Sequence, residues 1–229
     1  MTANIVDGVI RAFQLIFSLD PEVYRITGLS LYVSGLAVFL ATLWSIPIAT
    51  VLGLKTFRGK KFIRGSFSAF IGIPTVVLGL IFYLLFSRSG PLGFFGLLYT
   101  PLLISIGQSV LITPILISFI TSAIEAIDMD LRDLARTLGS TEIQASLSIL
   151  REASGGVTLA ILAGFNRAFA ELGIVMMVGG NIYLRTRVLT TAIALETGKA
   201  EISQSIALGV ILVGIVYVLN VSVSYLRKR

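Results

Sequence analysis

Five long apolar runs constrain this chain more than any other feature of its sequence. They lie at residues 28–54, 65–87, 99–121, 157–180 and 203–226. About 20 apolar residues cross the hydrocarbon core of a bilayer as a helix, and backbone groups in lipid must form hydrogen bonds within their own segment. The pattern therefore predicts an all-α integral membrane protein with about five transmembrane helices.

The composition excludes several other classes of protein. Apolar residues make up 55% of the chain, charged residues only 13%, and the mean hydropathy is +0.94. Such a chain has too few polar residues to form a separate soluble domain beside five spans. It contains no cysteine and no histidine, so disulfides and the commonest zinc and haem ligands are excluded. We predict no catalytic residue, no metal site and no cofactor bound by this chain.

Basic residues lie in short clusters beside apolar runs, which is typical of membrane orientation rather than nucleic-acid binding. Segment 55–64 contains five of them, and the tail 227–229 is basic throughout. The positive-inside rule places both in the cytoplasm, and the four spans between them allow this. The N-terminus is then outside, and residues 122–156 form a cytoplasmic loop. Residues 5–19 are predicted to form an interfacial amphipathic helix or, alternatively, a sixth short span.

The domain boundaries follow from this topology. Residues 1–27 form an extracytoplasmic or interfacial segment, residues 28–226 the transmembrane domain, and residues 227–229 a cytoplasmic tail. Four prolines lie within predicted spans, where each removes a helix hydrogen bond and tends to kink the axis. The kinks either improve packing or act as hinges; the prolines are Pro47, Pro74, Pro101 and Pro114.

The cytoplasmic loop has the pattern of two short amphipathic helices joined at a glycine. Asp128 and Asp130 are placed to cap the first helix, whose apolar face carries leucines at helical spacing; these are Leu131, Leu134 and Leu138. Gly139 can end that helix in a left-handed conformation. Ser140 is predicted to cap the second helix, with Glu142 in its first turn. Ile143, Leu147 and Leu150 would continue the apolar face, leaving Asp133, Arg136 and Thr137 exposed. We call residues 128–152 the elbow.

The elbow resembles the EAA loop of ABC importer permeases, in which E-A-A, a glycine and an isoleucine recur at fixed spacing. Asp133, Leu134 and Ala135 stand in the first three positions, and Gly139 and Ile149 match the later ones. Leu134 departs from the pattern, as do Arg151 and Glu152 in place of Leu-Pro. The sequence GFNRAFAELGIVMMVGGNI at 164–182 is similar to the tungstate and molybdate permeases, and REA at 151–153 to the tungstate branch. The resemblance covers residues 29–226.

The resemblance implies a fold, a mechanism and partners. The fold is that of a type I importer permease. Two copies of the chain would form the pathway, two ATPase subunits would bind their elbows, and an extracytoplasmic protein would deliver the substrate. The coupling residues are then Asp133, Leu134, Ala135, Arg136, Thr137, Gly139 and Ile149. The chain has no G-x-x-x-x-G-K-[ST] phosphate loop, so ATP and magnesium would be used by the partner. The location is the inner (cytoplasmic) membrane.

Arg167 and Glu171 are predicted to lie four residues apart on one face near the middle of the fourth span. Ionisable groups at that depth face a protein interior or a watery cavity. They either line the pathway, with Asn166 and Asn181, or form a bridge that fixes helix packing. The glycines that follow, Gly173, Gly179 and Gly180, are expected to permit close packing. Beyond them, Arg185 and Arg187 would meet a binding protein or anchor at lipid headgroups.

The leading hypothesis is an oxyanion permease, with tungstate favoured over molybdate, sulfate or an amino acid. A stand-alone secondary transporter or channel is the alternative from another class. That class needs coupling-ion or filter residues within spans, and only the Arg167 and Glu171 pair offers itself. An intramembrane enzyme is improbable because histidine, cysteine and clustered carboxylates within a span are lacking.

Overall fold

The computed structural model of the chain describes residues 2–127, 137 and 139–227. Every regular element in these residues is helical. The α-helices are α1 Thr2–Phe17, α2 Pro21–Leu54, α3 Lys60–Phe70, α4 Thr75–Phe86, α5 Pro101–Glu125, α6 Glu142–Glu152, α7 Ser154–Phe169, α8 Leu189–Gly198 and α9 Ile202–Arg227. A 3₁₀ turn at Gly93–Phe95 and a π-helical turn at Val175–Gly179 complete the described elements.

Three helices are long and apolar enough to cross a membrane, and up to five spans result if each of two broken pairs counts as one. The three are Pro21–Leu54, Pro101–Glu125 and Ile202–Tyr225. This confirms the predicted all-α fold with about five spans. The 16-residue helix α1 is not among the candidate spans.

Two predicted spans are not continuous helices. The span at 65–87 is divided into α3 and α4, because Pro74 has an extended backbone and precedes the first residue of α4. The span at 157–180 begins earlier, at Ser154, and its α-helix ends at Phe169. A proline has no N–H to continue a helix, and its neighbour before it avoids the helical region. Pro74 therefore ends one helix and starts another rather than bending a single one.

The other three prolines behave differently from one another. Pro101 is the first residue of α5, where its missing N–H is not needed. Pro47 and Pro114 lie inside α2 and α5 as predicted. Beside Pro114, the Thr113 hydroxyl accepts a hydrogen bond of 2.7 Å from the indole of Trp44. This bond joins the two helices that contain internal prolines.

The chain packs as two compact units. Unit 1 comprises Met1–Leu36, Pro74–Gln108 and Phe169–Arg229, and unit 2 comprises Ala37–Ile73 and Ser109–Ala168. In unit 1, α1 packs on α9 so closely that a Cβ on Gly8 would lie 2.5 Å from Ile206 Cγ2. Ala12 and Leu15 are buried on the same side of α1. The first helix is therefore held against the last.

Unit 2 has a continuous apolar core that joins the spans to the elbow. Its buried members come from α2, α5, α6, α7 and the corner between the last two: Val38, Ala41, Ala49, Leu54, Ile112, Leu116, Ile120, Ile124, Ile149, Ala153, Val157, Ala160 and Ala168. A Cβ on Gly53 would lie 2.6 Å from Ile124 Cγ2, so α2 and α5 pack closely at their ends. The elbow helix α6 thus shares one core with membrane-spanning helices.

Candidate coupling elbow and translocation segment

The glycine turn of the elbow has the predicted geometry. Gly139 has a φ of +86°, in the left-handed region that favours glycine. Thr137 is exposed as predicted. The capping aspartates, the leucine face and most of the EAA-like residues lie outside the described residues: Asp128, Asp130, Leu131, Asp133, Leu134, Ala135, Arg136 and Leu138. The structure therefore defines the turn and the second helix of the elbow.

Thr141, not Ser140, caps α6. The Thr141 hydroxyl accepts a hydrogen bond from the Gln144 N–H at 3.3 Å, and the Gln144 side chain accepts one from the Thr141 N–H at 2.9 Å. This reciprocal pair is a capping box, which satisfies two N–H groups that the helix itself leaves free. Glu142 lies in the first turn, as predicted, where a carboxylate opposes the helix dipole. The start of α6 is thus fixed by local bonds.

The buried and exposed sides of α6 differ from the prediction. Ala145 and Ile149 are buried in the core of unit 2, with Ile149 only 2% exposed. Of the three residues predicted to continue a packed apolar face, Leu150 packs partly buried against this core, whereas Ile143 and Leu147 are 80% and 48% exposed. Residues four apart share one side of a helix, so Ile143 and Leu147 form an apolar ridge directed away from the core. We call these two residues the α6 ridge.

A sharp bend joins the elbow to the next helix. The axes of α6 and α7 differ by 69°, and only Ala153 separates them. Ala153 is buried and donates a hydrogen bond of 2.8 Å to the Ile149 carbonyl. Arg151 and Glu152, which replace Leu-Pro of the family pattern, are exposed. A buried alanine therefore makes the corner here without a proline.

Arg167 and Glu171 do not share one continuous helix. Arg167 lies in the last turn of α7 and is partly buried, as is Asn166. Glu171 lies beyond Phe169, where α7 ends, and is 2% exposed. Its Oε1 accepts a hydrogen bond of 3.1 Å from the Ile174 N–H. The single helix that was predicted to carry both charges therefore ends before Glu171, whose carboxylate caps the next helical segment.

The glycines of this segment permit close packing, as predicted. A Cβ on Gly173 would lie 2.5 Å from the Thr75 hydroxyl oxygen, and one on Gly179 would lie 2.7 Å from Ile104 Cδ1. Gly180 has a φ of +68° and packs on the ring of Tyr99. The adjacent Asn181 also has a left-handed φ of 49°, and its buried Oδ1 accepts no hydrogen bond from the described residues.

Arg187 is held within the chain. Its guanidinium lies 3.4 Å from the Glu22 carboxylate and 5.0 Å from the centre of the Tyr183 ring. Arg187 therefore has partners for its charge and its stacking face in unit 1, and its contact with a binding protein or with lipid headgroups stays a prediction. Arg185 is exposed, and its predicted role remains a prediction.

A family model described as the inner membrane component of binding-protein-dependent transport systems matches residues 45–229. The chain belongs to this family. The matched residues include the elbow and the segment around Glu171, and the predicted membership among ABC importer permeases is confirmed.

Individual relatives of this permease family are similar over nearly the whole chain. A probable anion ABC transporter permease protein of Haloferax volcanii is 42% identical over 209 residues, which is 89% of this chain and 90% of the relative. The tungstate uptake system permease protein TupB of Peptoclostridium acidaminophilum is 35% identical over 225 residues, covering 98% and 99%. Among solved structures, an inward-facing conformation of the MetNI methionine ABC transporter matches with a TM-score of 0.72. It is 17% identical, with 93% of this chain and 96% of that chain covered, so it supports the fold alone.

Sequence reasoning missed one charged cluster of the permease. Glu125, at the end of α5, binds Lys60 at 3.1 Å and Arg64 through a second carboxylate oxygen. Arg64 also lies 3.4 Å from the Ser122 hydroxyl. The signal was available, because Glu125 is a carboxylate at the end of a span that the topology places beside a basic loop. This cluster puts α3 and the end of α5 at one end of unit 2, as the predicted topology requires.

Proposed function

We propose that the chain is the membrane-spanning subunit of an ATP-driven importer of tungstate. The α6 ridge carries this proposal: two apolar side chains stand in solvent on a helix whose opposite side is anchored in the core. An exposed apolar patch on a helix that is anchored in a core favours contact with another protein. The tungstate and anion permeases among the relatives support the substrate, with molybdate as the next candidate.

The partner at the ridge is a separate ATPase subunit in the cytoplasm. Two copies of the chain form the pathway, each elbow binds one ATPase, and an extracytoplasmic protein supplies the oxyanion. ATP and magnesium act in the ATPase, since this sequence has no phosphate-binding loop of the required pattern. The complex lies in the cytoplasmic membrane with the N-terminus outside and the C-terminus inside.

The test is transport and ATPase activity of the chain reconstituted with its ATPase and its tungstate-loaded binding protein. Ile143→Glu adds a carboxylate to the ridge and should abolish stimulated ATPase activity. Ser148→Glu adds the same charge elsewhere on the exposed surface of α6 and should have little effect. Tungstate uptake that continues without any ATPase subunit would instead favour a secondary transporter.

The turn at Gly139 offers a second test of coupling. A leucine there must hold a left-handed φ, at a cost of roughly 1–2 kcal/mol, so Gly139→Leu should reorient α6 while the spans still fold. We expect near-normal membrane insertion with loss of transport. Full transport by Gly139→Leu is the result that contradicts the coupling role.

For the pathway, we infer that Arg167 attracts the oxyanion and that Glu171 maintains the break after α7. Asn166 and Asn181 are candidate polar contacts along the same route. Arg167→Gln should reduce uptake and raise the substrate concentration needed, whereas Glu171→Gln keeps an acceptor for the Ile174 N–H and should be milder. If each alanine variant is severe and the double variant recovers, the two charges fix packing only.

A further inference from the structure

Helix α3 is amphipathic and has no buried residue. Its charges, Lys60, Lys61 and Arg64, lie on one side, while Phe62, Ala69 and Phe70 lie on the other at helical spacing. Phe62 is 79% exposed and Phe70 50% exposed. An amphipathic helix needs a covering for its apolar side, and the described part of this chain leaves most of Phe62 and half of Phe70 uncovered.

The basic residues around α3 form two groups. Lys60 and Arg64 are bound to Glu125, which fixes the orientation of the helix in unit 2. Lys55, Arg58 and Lys61 are exposed and form no ion pair with any carboxylate in the described residues. Three cations are therefore available to a partner, and that partner should be anionic.

The position of α3 restricts what that partner can be. The helix begins shortly after Leu54, the last residue of the membrane-spanning helix α2. Three charges in its first five residues keep the start of α3 out of the hydrocarbon core. Lysine and arginine stems can lie along an apolar surface while their charges reach headgroups. An interfacial position is consistent with these constraints.

We propose that α3 lies on the cytoplasmic leaflet and binds anionic phospholipid, with Phe62 and Phe70 among the upper acyl chains. Basic amphipathic helices next to a span have the chemistry that anionic headgroups select. Each exposed cation near such a surface is expected to favour the anionic lipid about fivefold. The side of the membrane rests on the topology of the proposed function; the lipid contact rests on α3 itself.

The absence of native cysteine makes a direct test possible. A fluorescent label on Ala69→Cys reports the apolar side of α3, and the same label on the neighbouring Ser68→Cys reports the polar side. Both variants are purified as full chains in nanodiscs of mixed phosphatidylcholine and phosphatidylglycerol. Bromine, which quenches the label, is placed on the acyl chains of one lipid class at a time.

We expect quenching at residue 69 to exceed that at residue 68. Brominated phosphatidylglycerol should quench the label at residue 69 more strongly than its mole fraction in the nanodisc predicts. The triple variant Lys55→Gln, Arg58→Gln and Lys61→Gln should remove that excess quenching. Equal quenching by the two lipid classes overturns the anionic preference. No quenching at residue 69, or strong dipolar coupling between spin labels there on two copies, overturns lipid as the covering.

The same nanodiscs separate this inference from the proposed function. ATPase stimulation is measured with the partner subunits added to each variant. Loss of the phosphatidylglycerol excess while stimulation persists supports the lipid site as a separate feature. If the label at residue 69 is quenched as expected but the chain never stimulates an ATPase, the transport proposal is refuted while the proposed lipid site is still supported.

Discussion

Helices α3 and α6 both have 11 residues and both belong to unit 2, but different forces hold them. Helix α6 has a capping box and two buried residues in the core. Helix α3 has no buried residue, and no side chain caps its start at Gly59. Buried apolar side chains and a capping box stabilise α6, whereas α3 forms ion pairs with Glu125 of α5.

The difference has a functional consequence. A helix whose buried side shares a core with Ile124 and its neighbours is connected to the spans, as the proposed coupling role requires. Helix α3, with no buried residue and two ion pairs to Glu125, has no such anchor in the core. The two helices are therefore suited to coupling and to lipid contact, respectively.

Of the changes considered, truncating Ile149, the buried residue that anchors α6 in the core, should have the largest effect on stability and activity. Ile149→Ala deletes a fully buried side chain, and such changes cost about 2–5 kcal/mol. We expect a lower unfolding temperature and loss of stimulated ATPase activity. Ile143→Ala, on the ridge, should leave the unfolding temperature unchanged and reduce only the stimulation. Equal thermal shifts for the two variants would contradict the assignment of buried and exposed sides.

A smaller effect is expected at the start of α6. Thr141→Ala removes the hydroxyl of the capping box and should cost about 1 kcal/mol. Faster amide hydrogen exchange in the first turn of α6 is the measurement. Ser140→Ala is the matched control and should leave exchange unchanged; the opposite ranking would restore Ser140 as the cap.

These two positions also illustrate what the sequence could and could not predict. Gln144 follows Thr141 by three residues, which is the capping-box pattern, while Ile143 stands at that distance from Ser140. The correct cap was therefore readable. The exposure of Ile143 and Leu147 was not, because periodicity predicts that an apolar side exists but not what covers it.

The spans show the same division. Apolar length was sufficient to predict an all-α membrane fold and the positions of α2, α5 and α9. The interruptions within the predicted spans 65–87 and 157–180 depend on single residues whose effect differs from one position to another. Pro74 begins a new helix while Pro114 lies inside one, and Glu171, just beyond the end of α7, caps the following turn at Ile174. The residue type alone does not distinguish these outcomes, since proline occurs both at the start of a helix and inside one.

The smallest expected effect concerns the ion pairs of α3. Glu125→Gln removes the charge that binds Lys60 and Arg64, and because all three side chains are partly exposed, each pair contributes only about 0.2–1 kcal/mol. Glu125 lies at the C-terminal end of α5, where a negative charge interacts unfavourably with the helix dipole. Removing that charge therefore offsets part of the stability lost with the ion pairs. Amide exchange in α3 should accelerate while exchange in α6 stays constant within the same molecule. Glu152→Gln, an exposed carboxylate on α6, is the control. If α3 exchanges at the original rate in detergent without anionic lipid, then Glu125 is not what holds it, and the contrast between a core-anchored and a charge-anchored helix fails.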